Sequence, residues 1–309
     1  MLRAFLLIVV GLAGDPEHGK TFHAWGNALA ESSERLGVAP EHLVHLVDQP
    51  AEGDKKVTGR ATREEVTKAL DRFATLAGPD DLVFITLIGH GSFDGRAAKF
   101  NMPGPDMSPA DFAPLLGKLK STQVVFVNTA SASGPFVDVL SGPGRTLVTA
   151  TRNGAEHYAT LFGGHFVEAL GSEAADADKN RRVSVLEAFL FAKAEVTRAY
   201  EREGLLATEH AVLDDNGDGT GSTDAGPEGP DGVLASTFTL GGAAAAVRTS
   251  DDPVLARLYA ERDGIQRRID ELRVVRTALT EDEFLARLEP LLVELALKNR
   301  EIREAGGGV

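Results

Sequence analysis

The chain contains 0 cysteines, which removes disulfides, thiolate metal sites and a cysteine nucleophile together. Basic surface is also missing. The formal net charge is -14 at pH 7, and binding to nucleic acid or an anionic membrane requires a basic face that displaces counterions. No apolar run is long enough to span a bilayer, so no membrane insertion is expected. The N-terminal "MLRAFLLIVVGLAG" has the basic residue, apolar stretch and small residues of a signal peptide, but it leads through glycine-rich turn chemistry into helical periodicity, which favours a buried strand. The compartment stays open between cytoplasm and export for a chain read as soluble. The histidines form no metal-spaced pair, which argues against zinc.

What is present is ordinary globular composition. With 43% hydrophobic and 25% charged residues over 309 positions, the chain can build one large core and carry an appendage. Strand patterns at 4 to 12, 42 to 48, "DDLVFITLIGHG", "TQVVFVNTASASG" and "RTLVTATRNG" alternate with helical patterns at 20 to 36, "REEVTKALDRFATL", "PADFAPLLGKL", 160 to 171 and 183 to 203. Thr62 with Glu65 forms a capping box, and Ser108 caps a helix that has Pro109 at its first position. This alternation predicts an α/β fold, a mostly parallel sheet sandwiched between helices. A last strand is expected at "VLASTFTL" (233 to 240), and "GGAAAAVRTS" marks the end of a domain spanning 1–242. In residues 251–309, leucines and isoleucines recur at three- and four-residue spacing on both sides of a capping box, Thr280 with Glu283. They predict an antiparallel α-helical hairpin, packed on itself, on the domain or on a second copy as a homo-oligomer.

"GDPEHGKT" (14 to 21) fits the phosphate-loop pattern letter for letter. The pattern needs backbone N–H groups and a lysine around phosphates, with an acidic metal partner at the tip of a neighbouring strand. Here Asp15 and Glu17 would repel the phosphates, and the other apolar strands end in "GHGS", "NTAS" and "TATR". No nucleotide is therefore expected, and the stretch reads as a strand-to-helix turn with Lys20 in solvent.

In an open parallel sheet, chemistry collects beyond the carboxyl ends of the strands. Two strands expected to be neighbours end in "LIGHGSFDG", with His90, and "VNTASASG", with Ser131 and Ser133. The glycines around His90 leave the backbone open to a substrate, and the Gly91 N–H could stabilise an oxyanion. The order of elements and these two segments resemble the caspase-like fold, most closely the legumain-type cysteine peptidases. The resemblance implies a caspase-like α/β/α sandwich, with His90 as general base, Gly91 as the oxyanion glycine and Ala130 to Gly134 as the nucleophile segment. Serine stands at 131 where that family has cysteine. A hydroxyl needs a base oriented by a third group, and none is evident, although Asp94 and Asp106 follow His90. The expectation is a catalytically degenerate relative that binds a peptide or protein in its cleft; the alternative is an active serine-type peptidase or esterase. The resemblance further implies an extended ligand paired along "TLVTAT", with Arg152 meeting an acidic side chain and Ser133 lining the site.

Two loops have the spacing of calcium ligands. "DADKNRRVSVLE" puts Asp176, Asp178, Asn180, the Arg182 carbonyl, Ser184 and Glu187 at positions 1, 3, 5, 7, 9 and 12 of an EF-hand loop, with Arg181 where the sharp turn wants glycine. "DDNGDGTGSTD" offers Asp214, Asn216, Asp218 and Thr220 in the same order, with Ala225 in place of the twelfth-position acid. A structural Ca²⁺ is the expected ligand, against the plainer reading of acidic turns.

Overall fold

The computed structural model describes residues 3–51, 56–180, 182–240, 252–274 and 279–307. Its centre is a seven-stranded sheet of order β3-β2-β1-β4-β7-β8-β9. The strands are β1 (Ala4–Val10), β2 (Val38–Val47), β3 (Gly59–Arg60), β4 (Leu82–Ile88), β7 (Gln123–Asn128), β8 (Arg145–Thr149) and β9 (Val212–Asp214). Every neighbouring pair is parallel except β8 with β9. A separate antiparallel hairpin, β5 (Gly91–Phe93) with β6 (Ala98–Phe100), follows β4 directly.

The strands read as continuous apolar runs because both faces of the sheet are covered. Successive side chains point to opposite faces. Leu6, Ile8 and Val10 of β1 therefore join the core under α1 (Pro16–Ser32), α5 (Phe162–Gly171) and α6 (Val185–Glu203). Phe5, Leu7 and Val9 join the core under α2 (Arg63–Leu76), α3 (Pro109–Leu116) and α4 (Pro135–Leu140). This is the α/β/α sandwich expected from the alternation. The N-terminal apolar run is an interior strand, paired with β2 on one side and β4 on the other. Among the described residues no helix is long and apolar enough to cross a membrane.

Two expectations are corrected. The first helix begins at Pro16, four residues earlier than its apolar spacing suggests, because Asp15 caps it: the carboxylate accepts the N–H groups of Glu17 and His18, both at 2.9 Å. Residues 233 to 240 form turns rather than a last strand. The strand that closes the sheet is β9, whose three residues are too few to show periodicity. "GGAAAAVRTS" lies outside the described residues.

At the C-terminus, α7 (Pro253–Val274) and α8 (Glu281–Glu304) form the antiparallel hairpin. Ile265, Ile269 and Leu272 pack on Phe284 and Leu291 near the turn, and Leu258 and Tyr259 on Ile302 at the open end. Lys298 with Glu261 (2.7 Å) and Arg268 with Glu294 (3.0 Å) tie the helices along their exposed sides. The hairpin meets the sheet domain where Arg262 donates to the Asn180 carbonyl at 3.1 Å.

Candidate active-site cleft

Parallel pairing in register puts Leu87 of β4 beside Asn128 of β7, so the residues that follow, His90 and Ser131, leave the sheet side by side. The chain order reverses between β1 and β4, which makes the carboxyl ends there a switch-point crevice where ligands collect. Two backbone bonds roof this end. Asn101, just past β6, donates to the His90 carbonyl at 3.0 Å, and Leu12 donates to the Asn101 carbonyl at 3.0 Å.

The contacts of the two side chains differ from those of a nucleophile and its base. The Ser131 hydroxyl accepts the Gly91 N–H at 3.1 Å and donates to the Gly91 carbonyl at 3.1 Å. Ser131 is only 2% exposed. The His90 ring packs instead on α1, with ring centroids 4.9 Å from His18 and 5.0 Å from Phe22. No hydrogen bond joins the His90 ring to the Ser131 hydroxyl. Burial, reinforced by the neighbouring His18, holds the His90 imidazole below its ordinary pKa. Gly91 is required by close approach: a Cβ there would lie 2.2 Å from the Ser131 carbonyl oxygen and 3.0 Å from that of Lys99. The N–H that would serve an oxyanion is thus occupied by the serine itself.

Ala132 has φ 53, in the left-handed region, a conformation that costs a non-glycine residue about 1–2 kcal/mol. Its N–H is fixed on the Glu156 carbonyl at 2.8 Å. Ser133 does not line the cleft. It is buried, its hydroxyl shares a hydrogen bond with the Thr151 hydroxyl at 3.1 Å, and it accepts the Thr151 N–H at 3.2 Å. Asp94 and Asp106 do not orient His90. Asp94 accepts the N–H groups of Arg96 and Ala97, and Asp106 that of Met102.

Residues 62–210 match the peptidase C13 family. The C13 segment is just under half of the chain. It begins at Thr62, the cap of α2, and ends at His210, before β9, so it contains both His90 and Ser131. The mostly parallel sheet is consistent with the caspase-like fold of that legumain-type family. No curated protein matches the chain.

Near Gly134, which packs against the Arg152 backbone, a cavity of about 280 Å³ is lined by Arg152, Phe162, Lys193, Glu209 and His210, among others. Arg152 is exposed, and its guanidinium makes no ion pair among the described residues. Two acids missed in the sequence organise this wall. Glu156 accepts the N–H groups of Arg152 and His210, both at 3.0 Å, and lies 2.8 Å from His210 Nδ1. Glu209, 4% exposed, accepts the Leu161 and Phe162 N–H groups at the start of α5, at 2.8 and 3.1 Å. Burial pushes its carboxyl above the usual range. An acid that bridges loops far apart in the chain has no spacing by which to be found. The ligand pairing expected along "TLVTAT" meets an occupied edge, because Leu147, Val148 and Thr149 already pair with β9.

The strand-to-helix turn at 14 to 21 spends its helix-end donors on its own chain. The Asp15 carboxylate takes two of them, its second oxygen lies 2.6 Å from His18 Nδ1, and Lys20 is exposed. In the first calcium-like loop, Asp176, Asp178 and Glu187 each bring one carboxylate oxygen within 4.8 Å of the others. Desolvation, then the charges of Glu187 and Asp176, push the Asp178 carboxyl up to about 6. The same loop already holds itself together. Glu187 accepts the N–H groups of Ala177 and Asp178 on one oxygen and the N–H and hydroxyl of Ser184 on the other. Arg182 donates its N–H to the Asn180 side chain, and Arg181 lies outside the described residues.

Proposed function

We propose that this protein is a catalytically degenerate relative of the C13 peptidases that binds a peptide or protein segment in its cleft. The observation that carries this reading is the Ser131 hydroxyl, buried and closed on both backbone groups of Gly91 while the His90 ring lies against α1. Serine chemistry requires a base on the hydroxyl and a group that orients the base; disrupting the latter alone costs about four orders of magnitude in rate. The Ala13 backbone holds the His90 ring, but the ring makes no hydrogen bond to the Ser131 hydroxyl, which leaves the first requirement without support. Binding needs no nucleophile, and the exposed, unpaired Arg152 beside a cavity of about 280 Å³ favours a ligand with an acidic side chain.

One observation favours a serine-type hydrolase instead: the strained Ala132 directly after Ser131, since such strain clusters at reactive sites. A fluorophosphonate probe separates the two readings. The degenerate protein is expected to remain unlabelled; labelling at Ser131 that disappears in His90→Ala overturns the proposal. For the ligand, a library of short peptides is screened by fluorescence polarisation against wild type and Arg152→Ala. Binding of Asp- or Glu-containing peptides, weakened at least about tenfold in the variant, as for loss of one charged contact, supports the assignment. Equal binding by both proteins, or by neither, refutes it.

A further inference from the structure

The second calcium-like loop holds an observation that the first lacks. Asp214, at the end of β9, is 1% exposed, and its Oδ2 is buried with no hydrogen-bond partner. Its Oδ1 accepts the Gly217 N–H at 3.2 Å, so the carboxylate faces into the loop that follows. A buried carboxylate oxygen with neither donor nor cation is costly and rare. Among the described residues no lysine, arginine or histidine pairs with Asp214, Asp215, Asp218 or Asp231.

The loop that follows is tightly turned and held by its own side chains. Gly217 and Gly219, with φ of 82 and 78, curl the chain as only glycine readily does. The Asn216 side-chain oxygen accepts the Asp218 N–H and Asp218 Oδ1 accepts the Thr220 N–H, each at 2.7 Å. The ends of the loop are clamped by the mutual backbone bonds of Leu213 and Ser222, at 2.9 and 2.8 Å. Beneath it, Asp231 and Asp215 are buried and use backbone donors: Asp231 accepts the Asp215 N–H at 3.1 Å, and Asp215 accepts those of Gly232 and Ala235 at 2.9 and 2.7 Å. Asp215 thereby ties the loop to Gly232 and to Ala235, the latter within the turns at 233 to 240.

We propose that the 214–220 loop binds a divalent cation of the Ca²⁺ type through the Asp214 and Asp218 carboxylates, the Asn216 side-chain oxygen and the Thr220 main-chain carbonyl. The mixture of carboxylate, amide and carbonyl oxygens in a flexible ring suits Ca²⁺, with waters completing its six to eight ligands, better than the strict octahedron of Mg²⁺. No acid closes the site. Ala225 is buried at the twelfth position, and the adjacent Asp224 is paired with Lys193 at 3.1 Å. A site with so few charges belongs at the weak end of the range, with Kd about 10⁻⁴–10⁻³ M.

The test is a thermal melt of the full chain in chelator, in 10 mM CaCl₂ and in 10 mM MgCl₂, for wild type, Asp214→Asn, Asp218→Asn and Glu187→Gln. Wild type and Glu187→Gln are expected to gain about 3 °C or more in Ca²⁺ over chelator and less in Mg²⁺; both loop variants lose that gain. Asp218 is exposed, so its variant reports on the ion even if Asp214→Asn folds poorly. No gain in wild type, an equal gain in Mg²⁺, or a gain that survives Asp218→Asn and vanishes in Glu187→Gln overturns the proposal. The last result would put the ion in the 176–187 loop.

Discussion

Replacing Ser131 by alanine distinguishes a structural serine from a nucleophile. The hydroxyl closes two hydrogen bonds of 3.1 Å with the backbone of Gly91, and Ser131 is 2% exposed. Each bond contributes about 1 kcal/mol net, so Ser131→Ala should destabilise the fold by about 2 kcal/mol. For a domain of roughly 150–250 residues this lowers Tm by about 4–8 °C, readable by differential scanning calorimetry. Peptide binding should be unchanged. A serine kept for chemistry behaves in the opposite way, because reactive sites hold strain that their removal relieves. An unchanged or higher Tm would therefore refute the structural assignment. Ser131→Cys extends the same argument. Without the His90 ring beside it, a buried thiol keeps a pKa at or above the ordinary ~8.5, and iodoacetamide at pH 7 should alkylate it no faster than free cysteine. Faster alkylation that is lost in Ser131→Cys combined with His90→Ala would show that the base is in reach after all.

Two further measurements address the wall of the cleft and the hairpin. Burial raises the Glu209 carboxyl above its ordinary 4.5, so the folded state binds its proton more tightly than the unfolded chain. The stability it contributes is complete below about 4.5 and is lost as pH rises through the folded pKa. Glu209→Gln mimics the protonated form, so the difference in Tm, wild type minus variant, should fall as pH rises across that window; a constant or rising difference contradicts this. The α7–α8 hairpin has its own apolar cores, so a chain ending at residue 242 should still melt cooperatively. Leu285, Leu292, Val293 and Leu297 of α8 are exposed, and the full chain is expected to self-associate in sedimentation velocity where the shortened chain does not. Insoluble shortened protein, or identical sedimentation, counts against the hairpin as an independent assembly element.

Local chemistry made much of this molecule legible in advance. Apolar runs marked β1, β4, β7 and β8 because strands covered on both faces must be apolar at every position. Caps placed the starts of α2 and α8 because they are adjacent in sequence to what they cap: Thr62 accepts the Glu65 N–H without the reciprocal bond of a full box, whereas Thr280 and Glu283 form both. The alternation of strands and helices then put His90 and Ser131 at neighbouring strand ends.

Which atoms meet at those strand ends was decided by the fold. Ser131 bonds to a backbone 40 residues away, and His90 rests on a helix from the other side of the switch point. Glu156 reaches His210 across 54 residues, and Asp231 supports the loop of Asp214 from beyond a glycine-rich turn. The edge that a ligand strand would use is filled by β9, a segment of 3 residues. Such contacts depend on how finished elements pack, so they leave no period or spacing in the chain. The sequence by itself determined that a histidine and a serine share one end of a parallel sheet; only the packing of α1 on His90, and of the Gly91 backbone on Ser131, decided that no hydrogen bond joins their side chains.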